Sequence, residues 1–485
     1  MISLKPADLM RLRLIRWQQV ALRYLPFADA ASAELPLSRL VRLALFQVTV
    51  GMVAVLTVGT LNRVMIVELG VWSWLVALMV ALPLLVAPLR AVIGLRSDLH
   101  RSFLGWRRVP FIWTGTMLQF GGLAIMPFAL VLLSGETGLQ VWSGRLSACL
   151  AFLLVGLGAQ TVQTTGLALA TDLAPAESRP RVVALMYVML LVGMVGAGLI
   201  YSQLLADYSH TRLVSVVQGS AVVTVFLNVL ALWKQEARDP LRAVAARQGP
   251  APTEFRKHWA ALANAGRTRR FLFAVGLGTL AFNMQDVILE PYGGEILKLP
   301  VGATTLLTGL MAVGALLACA LAARVLSRGQ DPYRVAGWGL VVGLGGFAAV
   351  LFAAPLDAPN LFRAGAAFIG LGGGLFAVGT LTAAMGLENG TGLHGLVIGS
   401  WGAVQATCAG LAMAFGGVLR DGVGLLADSG ALGEALQGPV TGYGVVYVCE
   451  LALLLATLIV IGPLVCRTQP PAAARARFGL TEFPG

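Results

Sequence analysis

Long apolar stretches dominate the chain and are interrupted by short polar ones. A membrane-crossing helix needs about 20 consecutive, mostly apolar residues. The pattern predicts twelve such spans, at 40–61, 71–93, 109–133, 146–170, 181–205, 213–234, 271–290, 301–323, 334–354, 361–386, 394–419 and 441–465. Basic residues alternate with them. Of 35 Lys and Arg, 29 fall in or within four residues of the N-terminal segment, the even-numbered loops and the C-terminus. The odd-numbered loops hold one each: Arg63, Arg145, Arg212, Lys298, Arg363 and Arg420. This bias predicts both termini and the central loop on the cytoplasmic side. The expected fold is all-α and polytopic. It comprises a cytoplasmic segment 1–39, a six-helix half 40–234, a Pro-containing basic linker 235–270, a second six-helix half 271–466 and a tail 467–485.

Residues 1–39 lack the uninterrupted apolar core of a signal peptide. Met10, Leu14, Trp17, Ala21 and Tyr24 share one helical stripe, with Arg13, Arg16 and Arg23 on another face. A helix lying in the headgroup layer and a solvated basic arm both fit.

Composition narrows the function. The chain is 57% hydrophobic and 12% charged, with 58 glycines and a mean hydropathy of +0.80. That leaves no room for a large water-soluble domain. The net charge of +12 follows from the loop asymmetry, so no nucleic-acid partner is implied. Cys149, Cys319, Cys408, Cys449 and Cys466 form no CxxC pair and read as small packing residues. His100, His210, His258 and His394 all lie outside mid-membrane, so an embedded bis-histidine haem is not expected. No Ser/His/Asp set, HExxH or phosphate loop is present, and an enzyme is not expected.

The halves look duplicated. Gly59-Thr60-Leu61 and Gly156-Leu157-Gly158 of the first half match Gly278-Thr279-Leu280 and Gly370-Leu371-Gly372 of the second. Parallel repeats of this kind build the major facilitator fold. The loop GLRSDLHRSFLGWRRVP (94–110) resembles the facilitator loop motif. Gly94 suits close helix approach, and Asp98 suits acceptance from a helix N-terminus or Arg. Arg107 and Arg108 are expected at lipid phosphates. Asp172 and Arg179 are expected to form a cytoplasmic clamp. The corresponding loop after 323 has lost the Gly-x-x-x-Asp pattern, which argues against a symmetric gating cycle.

Ionisable and amide groups inside a membrane are costly and mark function or specific packing. The seventh span carries Asn283, Gln285, Asp286 and Glu290, then Pro291-Tyr292-Gly293-Gly294, which is expected to end it. Asn283, Asp286 and Glu290 share a helical stripe with Gly276 and Thr279 that should face inward. For Glu290 an exposed helix end is equally open. Gln160 and Gln163 lie at mid-depth in the fourth span, where a helix–helix hydrogen bond and a ligand contact are both open. Glu450 in the twelfth reads as a packed carboxyl.

The blocks GTLNRVMIVELGV (59–71), LATDLAPAESRPRVVALMYVMLLVGM (169–194) and AFNMQDVILEPYGGEIL (281–297) resemble the PucC/LhaA family, over roughly residues 24–466. This is a bacteriochlorophyll-delivery branch of the facilitator superfamily, and general similarity leans to its LhaA side. The resemblance implies a non-enzymatic light-harvesting assembly factor in the inner (intracytoplasmic) membrane of a purple photosynthetic bacterium. Its cargo would be bacteriochlorophyll a. Its partners would be the α/β polypeptides of an antenna, the core antenna LH1 being favoured, with the core reaction-centre complex, bacteriochlorophyll synthase, the membrane insertion machinery and lipid. Gln160, Asn283 and His394 are candidate axial ligands to the pigment magnesium, with Gln163, Gln285, Asp286 and Glu290 completing the candidate polar face. Two rivals stand beside it. One is a proton-coupled transporter of a small solute using Asp286 and Glu450. The other is an antenna chaperone that binds no pigment.

Overall fold

In the computed structural model, residues 36–85, 106, 108–133, 141–175, 178–236, 266–386 and 394–465 are described. Every regular element among them is helical. In chain order these are α1 (Leu37–Glu68), α2 (Ser73–Leu85), α3 (Val109–Leu133), α4 (Val141–Leu173), α5 (Arg179–Leu204) and α6 (His210–Leu232). The second set is α7 in two pieces, α7a (Gly266–Asn283) and α7b (Leu289–Glu295), then α8 (Val301–Leu326), α9 (Pro332–Ala353), α10 (Pro359–Gly386), α11 (His394–Asp428) and α12 (Pro439–Ile461). Among the described residues, eleven helices are long and apolar enough to cross a membrane. The remaining expected span is represented by α2, 13 residues long as described. Phe128, Phe226 and Ile459 are 68%, 65% and 73% exposed, a lipid-facing surface in a chain this apolar.

Glycine sets how closely the helices approach. A Cβ on Gly115 (α3) would sit 2.9 Å from the Gly158 carbonyl of α4, and one on Gly339 (α9) 2.6 Å from the Gly372 carbonyl of α10. The two halves thus repeat the same backbone-to-backbone crossing, as small-residue membrane interfaces do. Between halves, α5 meets α8 where Gly198 faces Gly309, and a Cβ on Gly198 would lie 2.9 Å from the Gly309 Cα. Gly417 of α11 rests on α2, where a Cβ would lie 2.8 Å from the Ser73 carbonyl.

The repeat is broken in two places. α11 and α12 pack directly, whereas their first-half counterparts α5 and α6 diverge and scarcely touch. Instead α6 is tied to α1 and α3 by a buried side chain. Asn228 donates to Thr116 at 2.9 Å and accepts from Thr49 at 2.9 Å. Across the divide, Tyr201 and Ser220 share a hydrogen bond of 2.6 Å.

Two helix ends differ from expectation. α1 continues past 61 to Glu68 through widened π-helical turns at Val55–Leu61 and Val64–Glu68, and α11 runs on to Asp428. The polar residues that suggested a loop after 61 are buried in the bundle, with Asn62 at 0% and Arg63 at 4% exposure. Protein partners replace water there, so the helix need not stop.

The Gly198 and Gly302 contacts predict a stability split. Gly302→Val drives a side chain into the Ser202 carbonyl and should cost about 1–3 kcal/mol as overpacking. It should lower the melting temperature in detergent. Gly345→Val, with open space at its Cβ, should leave it unchanged.

Candidate functional site

α7 fails as a continuous helix at Asn283. Met284–Val287 form a 3-10 turn, and the chain re-enters an α-helix at Leu289. Irregular backbone at membrane depth persists only where protein satisfies its polar groups. Here Asn62 of α1 does so, donating 2.6 Å to the Val287 carbonyl and 3.0 Å to that of Val58. The expected stop at Pro291 is overturned. Pro291 falls in the first turn of α7b, where a missing N–H costs nothing. Tyr292 is 1% exposed and packs on Tyr443 and Tyr447 with ring centroids 5.3 and 5.4 Å away. Gly294 lies under Arg63, and a Cβ there would come within 2.8 Å of its Nε. These glycines permit close approach; they do not end the helix.

Beside this break a polar seam joins α1, α7b and α8. Glu290 is 1% exposed, which excludes the exposed helix end. Its Oε1 accepts from the Thr308 hydroxyl at 2.5 Å. Gly59 makes room for it, since a Cβ at Gly59 would overlap that same oxygen. Thr60 and Thr305 hydroxyls bond at 3.1 Å. Arg63 forms an ion pair with Glu68 and donates 3.3 Å to the Leu299 carbonyl. A charged residue at bilayer depth costs about 2.5–3.5 kcal/mol on insertion scales, and the seam offsets this with partners from both halves. Asn62, Arg63, Glu68 and Thr308 were not singled out from the sequence, although the 59–71 block contains three of them.

The other polar residues of the seventh span are occupied locally. Asn283 donates to its own Thr279 carbonyl at 2.7 Å. Gln285 is 0% exposed and donates to Asp286 at 2.6 Å. The break therefore dissolves the single stripe expected from an unbroken helix. Glu450 is 0% exposed and lies in the neighbourhood of Asp286 and the Gln285 backbone. Gln160 keeps a buried Oε1 without a partner, and Gln163 sits on the same helix, half-buried. His394 opens α11, and its side chain lies outside the described residues.

Near the far ends of α7, α11 and α12, away from the linker, Arg420 donates to Glu295 at 2.6 Å and to Asp421 at 2.8 Å. Its guanidinium stacks 4.7 Å above the Tyr443 ring. Asp421, 5% exposed, accepts the Trp74 N–H of α2 at 2.8 Å. The halves are thus clasped on this side by Asp421–Trp74 as well as by the seam.

On the linker side, Gly94, Asp98 and Arg107 lie outside the described residues. Arg108 is 5% exposed and donates 3.1 Å to Asp172, which overturns its expected place at lipid phosphates. Arg179 donates to the Ala174 carbonyl at 3.4 Å. The expected Asp172–Arg179 clamp is therefore replaced by Asp172–Arg108. Glu236 accepts the backbone N–H of Arg108 and of Val109 at 3.1 and 2.9 Å, capping α3.

A concave space opens elsewhere. Where α5 and α6 diverge, a groove of about 800 Å³ lies over α1. Its deep end is apolar (Val48, Met52, Val223, Leu227), and its far end carries Tyr201, Gln203, Arg212 and Ser215. It was not foreseen; its sequence signal is small residues at helical spacing on adjacent spans, Gly193, Gly196 and Ala197 against Ser215, Gly219 and Ser220. Among the described residues no group of three or more His, Cys, Asp or Glu side chains is placed to hold a metal ion.

The family described as PUCC protein matches residues 60–469. Protein PucC of Rhodovulum sulfidophilum is 56% identical over 404 residues, 83% of this chain and 89% of that protein. A Rhodobacter capsulatus protein named for the puhA-bchM intergenic region is 52% identical, covering 96% of this chain and 98% of that protein. These two identities do not separate a PucC from an LhaA branch. More distantly, the "Bacteriochlorophyll synthase 44.5 kDa chain" of Rhodobacter capsulatus is 29% identical over 88% of this chain and 95% of that protein. Among solved structures, a bacterial homologue of the lysosomal transporter Spinster superposes with a TM-score of 0.66 at 14% identity, covering 92% of this chain and 98% of that one. The nucleoside transporter NupG (D323A mutant) gives 0.64 at 13%, covering 88% and 99%. The fold is that of major facilitator transporters.

The seam predicts that Thr308→Val, which strips the donor from the buried Glu290 carboxyl, costs about 1–3 kcal/mol. Glu290→Gln with Thr308 intact should cost less, because an amide oxygen still accepts. Thermal unfolding of the purified single variants reads the difference.

Proposed function

Because the chain belongs to the PUCC protein family, we propose that it is an assembly factor of bacterial photosynthesis. It binds bacteriochlorophyll a within the bilayer and hands it to nascent antenna α/β polypeptides, those of the core antenna LH1 first. It works beside the core reaction-centre complex, with bacteriochlorophyll synthase and the membrane insertion machinery as suppliers of pigment and polypeptide. Its location is the inner (intracytoplasmic) membrane, with both termini in the cytoplasm. The names of the relatives support the pigment connection. One observation carries the mechanism: Asn283, Gln285, Glu290 and Arg63 bond within the protein, while a roomy concavity faces the hydrocarbon.

The physical logic is direct. A free chlorin is apolar and aggregates, so a carrier must cover its ring. The pigment starts and ends in the membrane, so no gradient-driven crossing is required and a facilitator bundle can serve as a scaffold. The far-side clasp through Asp421 and Trp74 agrees with a bundle that need not alternate its access.

A second reading, a proton-coupled solute transporter, draws on the buried neighbours Asp286 and Glu450 and on the fold. Fold alone does not assign function.

Protein purified from a pigment-making host should carry near-infrared chlorin absorption and co-elute with antenna polypeptides. A colourless preparation without antenna partners would contradict the proposal. Substrate-dependent proton uptake in liposomes, abolished by Asp286→Asn, would favour the transporter.

A further inference from the structure

The groove between α5 and α6 arises from residues the seam does not use. On α5 Gly193, Gly196 and Ala197 leave one wall with little side chain. On α6 Ser215, Gly219 and Ser220 do the same. Gly193 is pressed onto α1, where a Cβ would lie 2.6 Å from the Val48 carbonyl. At Gly196 and Gly219, by contrast, an added Cβ would meet nothing within 4 Å. These two glycines front open space, bordered by Val192, Ile200 and Val223.

Three occupants compete. A partner helix is too large. The lined part of α6, from Arg212 to Leu227, is about 23 Å long, and a helix of that length and 10–12 Å diameter occupies roughly 1,800 Å³ or more. The groove offers about 800 Å³, within the ~300–1,000 Å³ range of single-molecule sites. An anionic phospholipid would want an unpaired cation at the polar end. Arg212 is already neutralised, donating to the Asp207 carboxylate at 3.2 Å and to its carbonyl at 3.0 Å. What remains is a polar end with hydrogen-bond donors and no net charge, joined to an apolar slot that opens at Gly196 and Gly219 between aliphatic side chains. That suits a neutral, planar amphiphile bearing carbonyl acceptors along one edge.

Resting on the reading of this protein as a pigment carrier, we propose that the α1–α5–α6 groove is the pigment seat, holding one esterified magnesium tetrapyrrole. The ring lies against Gly196 and Gly219, with its carbonyl edge toward Arg212 and Gln203. The hydrocarbon tail extends past Val223 and Leu227 toward mid-membrane. The counterpart α11 and α12 pack together, so among the described residues that pair leaves no equivalent slot and one pigment per chain is expected.

The structure supplies a clean test. Gly196→Leu and Gly219→Leu fill the groove without a steric conflict inside the bundle, and Leu is favourable within a bilayer. Gly345→Leu, on the lipid side of α9 with open space at its Cβ, is the control. Each is purified from the pigment-making host, checked for unchanged melting temperature and assayed for chlorin per protein, with native mass spectrometry of bound species. The expectation is a loss of about tenfold or more in the two groove variants, equivalent to about 1.4 kcal/mol, and none in the control. Equal pigment in wild type and groove variants overturns the seat while leaving the pigment-carrier reading intact. The same holds if the groove variants lose a phospholipid and keep their pigment. A wild type without pigment overturns the carrier reading itself.

Discussion

The structure depends on a backbone that cannot remain helical at membrane depth and must find its hydrogen bonds in protein. Met284–Val287 interrupt α7, and in hydrocarbon an unsatisfied carbonyl has no water to turn to. The Asn62 amide from the opposite half reaches the Val287 carbonyl at 2.6 Å. Around that bond gather Glu290 with Thr308, Thr60 with Thr305, and Arg63 with Glu68. Each of these groups is expensive alone and tolerable together. Asn62 with Val287, Thr60 with Thr305 and Arg63 with the Leu299 carbonyl cross between the halves, while Glu290–Thr308 and Arg63–Glu68 are each met within one half.

That arrangement explains why residues that look like a translocation path need not form one. Asn62, Glu290 and Arg63 each spend at least one donor or acceptor on a protein partner. Gly59 and Gly294 have no side chain because Glu290 and Arg63 occupy that space. A concavity lies on the flank of the first half, where α6 leaves α5 and leans on α1 and α3 through Asn228. The second half kept the packed version of the same repeat. One fold thus combines a half whose last two helices pack closely with a half in which they part, and the proposed handover of pigment within the membrane plane would use the latter.

Much of the fold was legible in the sequence because lipid imposes simple rules. Span lengths, the Lys/Arg alternation and the paired glycine motifs placed the helices, with α2 described over only part of its expected span. Helix ends were less legible. Asn62 and Arg63 read as a loop because polar residues usually meet water, and Pro291-Tyr292-Gly293-Gly294 read as a stop because those residues usually break helices; in both cases tertiary partners decided otherwise. Pairings distant in sequence were not legible. Arg108 displaces the nearby Arg179 at Asp172, and no local pattern announces this. The groove depends on the angle between two helices, which single-residue periodicity does not encode.

The central claim is that the clasp on the far side, away from the linker, stays shut while the protein works, leaving the lateral face to carry cargo. Trp72 and Leu425 are exposed and line one small recess between α2 and α11 at that end. Nitroxide labels at these two positions in bilayers, read by pulsed dipolar spectroscopy, measure the clasp directly. One short-distance population, unchanged by adding bacteriochlorophyll or antenna polypeptide, is the predicted result. A second, longer population that grows with either addition would contradict the account.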